Sequence, residues 1–246
     1  MAAKDITIQF NQTNTPAYLV LPPAGSGPGV LVLHAWWGLN PFFKSVCRRL
    51  ARAGFVALAP DLYGGKLAAT RGEAQILMAQ TDFEQAQAVV AGSLAYLGGL
   101  PFVTGRGLGT LGFSMGAGWA LWLSTSQPQE VAAVVVFYGT DLIDPTDARA
   151  AYLGHYAETD EFESVEGVNQ LEFTLQSAGL ETHFYTYPGT HHWFFESNQP
   201  QAYNPRAARL SWRRTIHFLR EKLGLFGIAA PLRVHQGCEE CGRSRI

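Results

Sequence analysis

Leu108-Gly109-Thr110-Leu111-Gly112-Phe113-Ser114-Met115-Gly116-Ala117-Gly118-Trp119-Ala120-Leu121 passes from an apolar run into a helical one across a single serine. Its centre, Gly112-Phe113-Ser114-Met115-Gly116, has the form Gly-x-Ser-x-Gly. That spacing suits a sharp strand-to-helix turn that lifts a serine hydroxyl clear of a sheet. Glycine is needed on both sides, because a side chain there would collide with the neighbouring strand and helix. The helix that follows points its N-terminus at the serine. Its unpaired N–H groups and positive dipole end favour negative charge beside Ser114. An incidental serine in a glycine-rich turn is the bland alternative, and the flanking strand and helix weigh against it.

Working outward, strand-like and helix-like segments alternate. Residues 5–10 and 16–21 are β-prone and separated by Asn11-Gln12-Thr13-Asn14, a hairpin signal. Residues 29–35, 55–59, 107–113 and 131–138 are apolar runs, as expected for strands buried on both faces. Further strands are read at 150–156 and 181–187. Asn40-Pro41 opens a helix that ends at Gly54, with Asn as cap and Pro in the first turn. Helices are also expected over 71–97, 115–125, 161–178 and 205–223. This alternation predicts an α/β fold, with a mostly parallel central sheet, helices on both faces and an antiparallel N-terminal hairpin.

The bulk composition narrows the function. A chain of 246 residues suits one domain and can bury a core without disulfides or metals. The domain is expected to span 1–223, with 224–246 a loosely held tail. A net charge of −2 offers no basic field for nucleic acid or an anionic membrane surface. The start lacks the apolar core of a signal peptide and no run could span a bilayer, so a soluble, cytoplasmic protein is expected. Three cysteines, Cys47, Cys238 and Cys241, make no disulfide framework. His235, Cys238 and Cys241 have metal-like spacing but supply too few ligands for a structural site, so neither metal nor cofactor is expected.

A serine hydroxyl needs a base to take its proton. In an elbow of this kind the chain order is serine, acid, histidine. The base belongs on the loop before the last helix, where Tyr187-Pro188-Gly189-Thr190-His191-His192 offers two histidines. His155 and His183 fall within strands and His217 within a helix. The acid must fix the imidazole tautomer. Asp160, just past the penultimate strand, is favoured over Asp141, Asp144 and Glu158, although an aspartate there could equally cap the next helix. The oxyanion hole would use the N–H of Met115 and one from the turn after the 29–35 strand, at Trp36. Trp37, Tyr63 and Trp193 belong to an aromatic set around the motifs, part of it core and part of it pocket wall.

Together these residues resemble the dienelactone hydrolase family of the α/β-hydrolase superfamily. The resemblance covers most of 5–223. It is carried by His34-Ala35-Trp36-Trp37-Gly38-Leu39-Asn40, Ala59-Pro60-Asp61-Leu62-Tyr63, the serine elbow, and Tyr187-Pro188-Gly189-Thr190-His191-His192-Trp193-Phe194. It implies His192 as base, Asp160 as acid and Trp36 as the second oxyanion donor. Three positions depart from the family pattern. Ser114 stands for the usual cysteine, Ala35 for a glutamate that contacts the thiol, and Glu196 for an arginine that holds a substrate carboxylate. With Glu196 in the pocket, an anionic substrate about 6 Å away would be repelled by roughly 3 kcal/mol. The expectation is therefore a serine hydrolase for a neutral small-molecule ester, lactone or thioester. A binding protein that kept the pocket and lost the chemistry is the alternative.

Overall fold

The computed structural model describes residues 1–10 and 13–225. The expected turn residues Asn11 and Gln12, and the tail with His235, Cys238 and Cys241, lie outside them.

One sheet holds eight strands among the described residues. They are β1 (Ala2–Phe10), β2 (Thr13–Leu21), β3 (Gly27–Leu33), β4 (Val56–Pro60), β5 (Val103–Phe113), β6 (Val131–Phe137), β7 (Ala151–Ala157) and β8 (Thr182–Tyr187). Their spatial order is β1-β2-β4-β3-β5-β6-β7-β8. β1 pairs antiparallel with β2, and β2 with β4. From β4 onward every pairing is parallel. The expected parallel sheet with its antiparallel hairpin is borne out.

The apolar strands are buried on both faces because alternate residues feed two cores. Val30 and Val32 point into one and Leu31 and Leu33 into the other. The first core is closed by α1 (Pro41–Arg52) and α6 (Pro205–Lys222). The second is closed by α3 (Phe83–Gly98), α4 (Met115–Ser126) and α5 (Val165–Ser177). Asn40 caps α1 through its side chain, with Pro41 in the first turn, as the sequence implies.

Two helices differ from expectation. The 71–97 helix is two, α2 (Arg71–Ala79) and α3, because Asp82 accepts from Gln85 N–H and starts a new helix there. Thr81 meanwhile bonds back to the Leu77 carbonyl and closes α2. The 161–178 helix begins only at Val165, capped by Ser164. Asp160 therefore does not cap it. No helix of the described residues is long and apolar enough to cross a membrane.

Candidate active site

The parallel strands deliver their C-terminal ends to one edge, where ligands collect in open α/β sheets. Ser114 follows β5, Trp36 lies beyond β3, Asp160 beyond β7 and His192 beyond β8.

Ser114 sits at φ 50°, ψ −118°, a conformation that costs energy for a residue with a side chain. The turn is held by Ser114 N–H to Phe137 O at 2.9 Å and Ala117 N–H to Ser114 O at 2.7 Å. The flanking glycines are there for space. A Cβ on Gly112 would overlap the Gly116 carbonyl, and one on Gly116 would overlap the Leu33 carbonyl. Gly139 does the same from just beyond β6, since a Cβ there would lie 2.6 Å from Ser114 O.

Two loops bring Asp160 to His192. Thr159 N–H donates to Thr190 O at 3.1 Å, Glu158 N–H to Thr190 Oγ1 at 3.3 Å, and Gly189 N–H to Glu158 Oε2 at 2.9 Å. Asp160 Oδ1 accepts from the N–H groups of Phe162 and Glu163, which orients the carboxylate. Both Asp160 oxygens then lie 2.8 Å from His192 Nδ1, and His192 Nε2 lies 2.9 Å from Ser114 Oγ. With its proton on Nδ1 for Asp160, His192 presents Nε2 as an acceptor to the serine hydroxyl. Both partners of this pair are almost fully buried.

The other candidates are elsewhere. His191 is exposed, and its carbonyl accepts from Phe194 N–H. His155 is buried between Thr215 and Tyr187, and His183 pairs with Glu181 on the surface. Asp141 is exposed, with Oδ1 on Leu142 N–H. Met115 is the first residue of α4, where an N–H has no acceptor within the helix.

Sequence reasoning missed His34 as a structural part of the site. It is fully buried. Its Nδ1 lies 2.7 Å from Ala35 O, and its Nε2 accepts from Leu62 N–H at 3.1 Å. Burial lowers its pKa and favours the neutral ring that this pairing requires. His34 thus ties the Trp36 turn to the loop after β4. There Asp61 accepts from Tyr63 and Gly65 N–H, and Tyr63 reaches Met115 Sδ at 3.3 Å.

A cleft of about 510 Å³ opens beside His192, lined by Trp37, Arg71, Glu161, Trp193 and Gln199 among others. Trp36 stacks on Trp193 with centroids 6.0 Å apart, and Trp37 meets the same ring at 5.4 Å. Phe162, also unforeseen, touches the rings of His192, Trp36 and Trp193.

Glu196 departs from its expected place. It is fully buried, with Oε1 accepting from the Tyr138 hydroxyl at 3.0 Å. Trp193, at φ 65°, turns the chain so that Glu196 lies behind the cleft wall. Burial, only partly offset by the Tyr138 hydrogen bond, pushes its carboxyl up to about 8. The repulsion expected from an exposed Glu196 charge does not follow from this position.

Residues 15–223 match the family described as the dienelactone hydrolase family. The chain belongs to that family. Among its relatives, protein usf of Aquifex pyrophilus is 30% identical, with 89% of this chain and 98% of that one covered. A protein of Aquifex aeolicus (strain VF5), provisionally named carboxymethylenebutenolidase, is 28% identical, covering 83% and 92%. Among solved structures, a dienelactone hydrolase-like promiscuous phosphotriesterase, P91, from metagenomic libraries superposes with a TM-score of 0.79. It is 21% identical and covers 91% of this chain and 99% of its own. At that identity the likeness shows the α/β-hydrolase fold.

Proposed function

We propose that this member of the dienelactone hydrolase family is a serine hydrolase cleaving a neutral ester, lactone or thioester through an acyl-enzyme. The observation that carries the reading is the 2.9 Å approach of His192 Nε2 to Ser114 Oγ, with Asp160 on the opposite ring nitrogen. In the reaction Ser114 Oγ attacks the acyl carbon while His192 takes its proton. The N–H groups of Met115 and Trp36 receive the oxyanion, and the start of α4 adds a favourable dipole. The tetrahedral species collapses as His192 returns the proton to the leaving group. Water, deprotonated by the same histidine, then releases the acid and restores Ser114. Asp160 stays ionised and steadies the imidazolium.

The family's lost glutamate supports a serine, since Ser114 leaves no thiol for that carboxylate to contact and His192 alone can serve as base. The butenolidase name of the Aquifex aeolicus relative points to ester-type chemistry as well. A neutral substrate suits the cleft because Arg71, a cation on its wall, is already paired with Glu161 at 2.7 Å. Labelling with a serine-directed fluorophosphonate tests the nucleophile. One adduct on the intact chain and none on Ser114→Ala is expected. An unlabelled wild type that also leaves p-nitrophenyl esters untouched would favour a binding protein.

A further inference from the structure

We infer that Glu161 sets the charge of the substrate by occupying Arg71, so that the cleft discriminates against esters bearing a carboxylate. This rests on the hydrolase reading above and adds the residue that enforces its neutral-substrate preference.

The geometry places the pair inside the site. Arg71 opens α2, and Glu161 directly follows the triad acid Asp160. Their side chains meet at 2.7 Å across the cleft that His192 lines. The Arg71 guanidinium also lies 4.8 Å from the Trp193 ring centroid and 5.8 Å from that of Phe162. These rings leave the guanidinium's hydrogen-bonding edge as its means of holding an anion. Glu161 Oε1 meets that edge at one nitrogen, Nη2.

Both side chains are about half exposed, 54% and 55%. Such a pair is weak and open to exchange. A substrate carboxylate can therefore compete for Arg71, but only by displacing Glu161, whose charge then stays nearby and repels it. A neutral ester meets neither cost. Phe162 links this pair to the chemistry, because the residue next to Glu161 lies against the His192 ring at 4.7 Å. An ester at Ser114 whose leaving group is directed into the cleft would bring a substituent on that group to the pair from the His192 side.

The test compares 4-acetoxybenzoate with 4-acetoxybenzamide, equal in shape and different in charge. The readout is the ratio of kcat/KM, carboxylate over amide, in the wild type, Glu161→Gln, Arg71→Gln and the double variant. Glu161→Gln should raise the ratio about fivefold to tenfold at low salt, the scale of a half-exposed ion pair and one like charge. The double variant should lose most of that rise, and 0.5 M salt should shrink it. A ratio within twofold of wild type in Glu161→Gln overturns the inference. So does a rise that survives intact in the double variant, because Arg71 would then not be its agent.

A second readout needs no turnover. Trp37 and Trp193 line the cleft, so benzoate and benzamide binding can be followed by tryptophan fluorescence in the same four chains. Glu161→Gln should tighten benzoate over benzamide by a similar factor. If no ester is cleaved but this shift appears, the hydrolase reading fails and the charge selector stands. If esters are cleaved and neither readout shifts, the reverse holds.

Discussion

Tyr138 donates its hydroxyl to Glu196 at 3.0 Å, and neither residue has measurable solvent exposure. The Tyr138 ring also packs 4.8 Å from that of His192. The carboxyl that the sequence placed in the substrate's path is thus held by a ring that packs against His192. Its remaining oxygen has no partner among the described residues.

A buried carboxyl of this kind makes stability depend on pH. Its folded pKa is raised from 4.5 to about 8. Below pH 4.5 both folded and unfolded chains hold the proton, and the contribution is fully present. Between 4.5 and 8 the folded chain keeps the proton while the unfolded chain loses it, so stability falls as pH rises. Above 8 the contribution is gone. The whole span corresponds to at most about 5 kcal/mol. Glu196→Gln keeps a carbonyl acceptor for Tyr138 and removes the proton. Urea midpoints should fall from pH 5 to pH 8 in the wild type and much less in the variant. Parallel pH profiles for the two chains would show that Glu196 ionises normally.

The two adjacent histidines should separate sharply in kinetics. His192 contacts Ser114 and Asp160, whereas His191 faces solvent. Ser114→Ala and His192→Ala should each lower kcat by about 10³-fold or more, and the double variant little further, because the groups act as a unit. His191→Ala should stay within about tenfold of the wild type. Equal losses at 191 and 192 would remove His192 from its role.

Asp160→Asn tests the tautomer argument. An amide in place of the carboxylate can donate to Nδ1, which leaves the proton on Nε2 and points it at Ser114. The fold should survive, because the Asn oxygen can still accept from Phe162 or Glu163 N–H. We expect kcat to drop by about 10³- to 10⁴-fold, with the thermal midpoint changed by only a few degrees. Activity within tenfold of wild type would mean that another group orients His192.

The legibility of the site in the sequence follows from how local each constraint is. The elbow could be read because Gly112 and Gly116 are forced by backbone approaches next to the serine itself. Asp160 could be read because it directly follows the penultimate strand, and the His191-His192 loop because it precedes the last helix, while the family resemblance chose His192 over its neighbour. The split between α2 and α3 was hidden because Thr81 and Asp82 lie among good helix formers, and only Asp82's bond to Gln85 N–H shows the break. Glu196 was misplaced because the resemblance set it where an arginine would face the substrate, whereas after Trp193's positive φ its side chain is buried against Tyr138. His34, Phe162 and the Arg71–Glu161 pair act through contacts between distant segments, and sequence spacing carries no trace of those.

Two glycines on the same helix should respond oppositely to alanine. Gly116 and Gly118 both belong to α4, and by helix propensity alone each would gain from Ala by roughly 0.5–1 kcal/mol. A Cβ on Gly118 would meet Asp141 Oδ2 at 3.3 Å, and Asp141 is an exposed side chain that can move aside. Gly118→Ala should therefore leave the thermal midpoint unchanged or raise it slightly. A Cβ on Gly116 would overlap the Leu33 carbonyl and lie 2.7 Å from that of His34, and both are backbone at the C-terminal end of the central strand β3. Relief requires α4 to move off β3. That displaces Met115, which opens the helix, and strains the His34 turn that carries Trp36, so the two proposed oxyanion donors lose register. Gly116→Ala should lower the midpoint by several degrees at least, as overpacking by about 1–3 kcal/mol would. Whatever fraction folds should show kcat reduced by about 10²-fold or more. Differential scanning fluorimetry with ester turnover on the folded fraction measures both effects. A Gly116→Ala chain with wild-type midpoint and turnover would show that the elbow does not depend on this close approach.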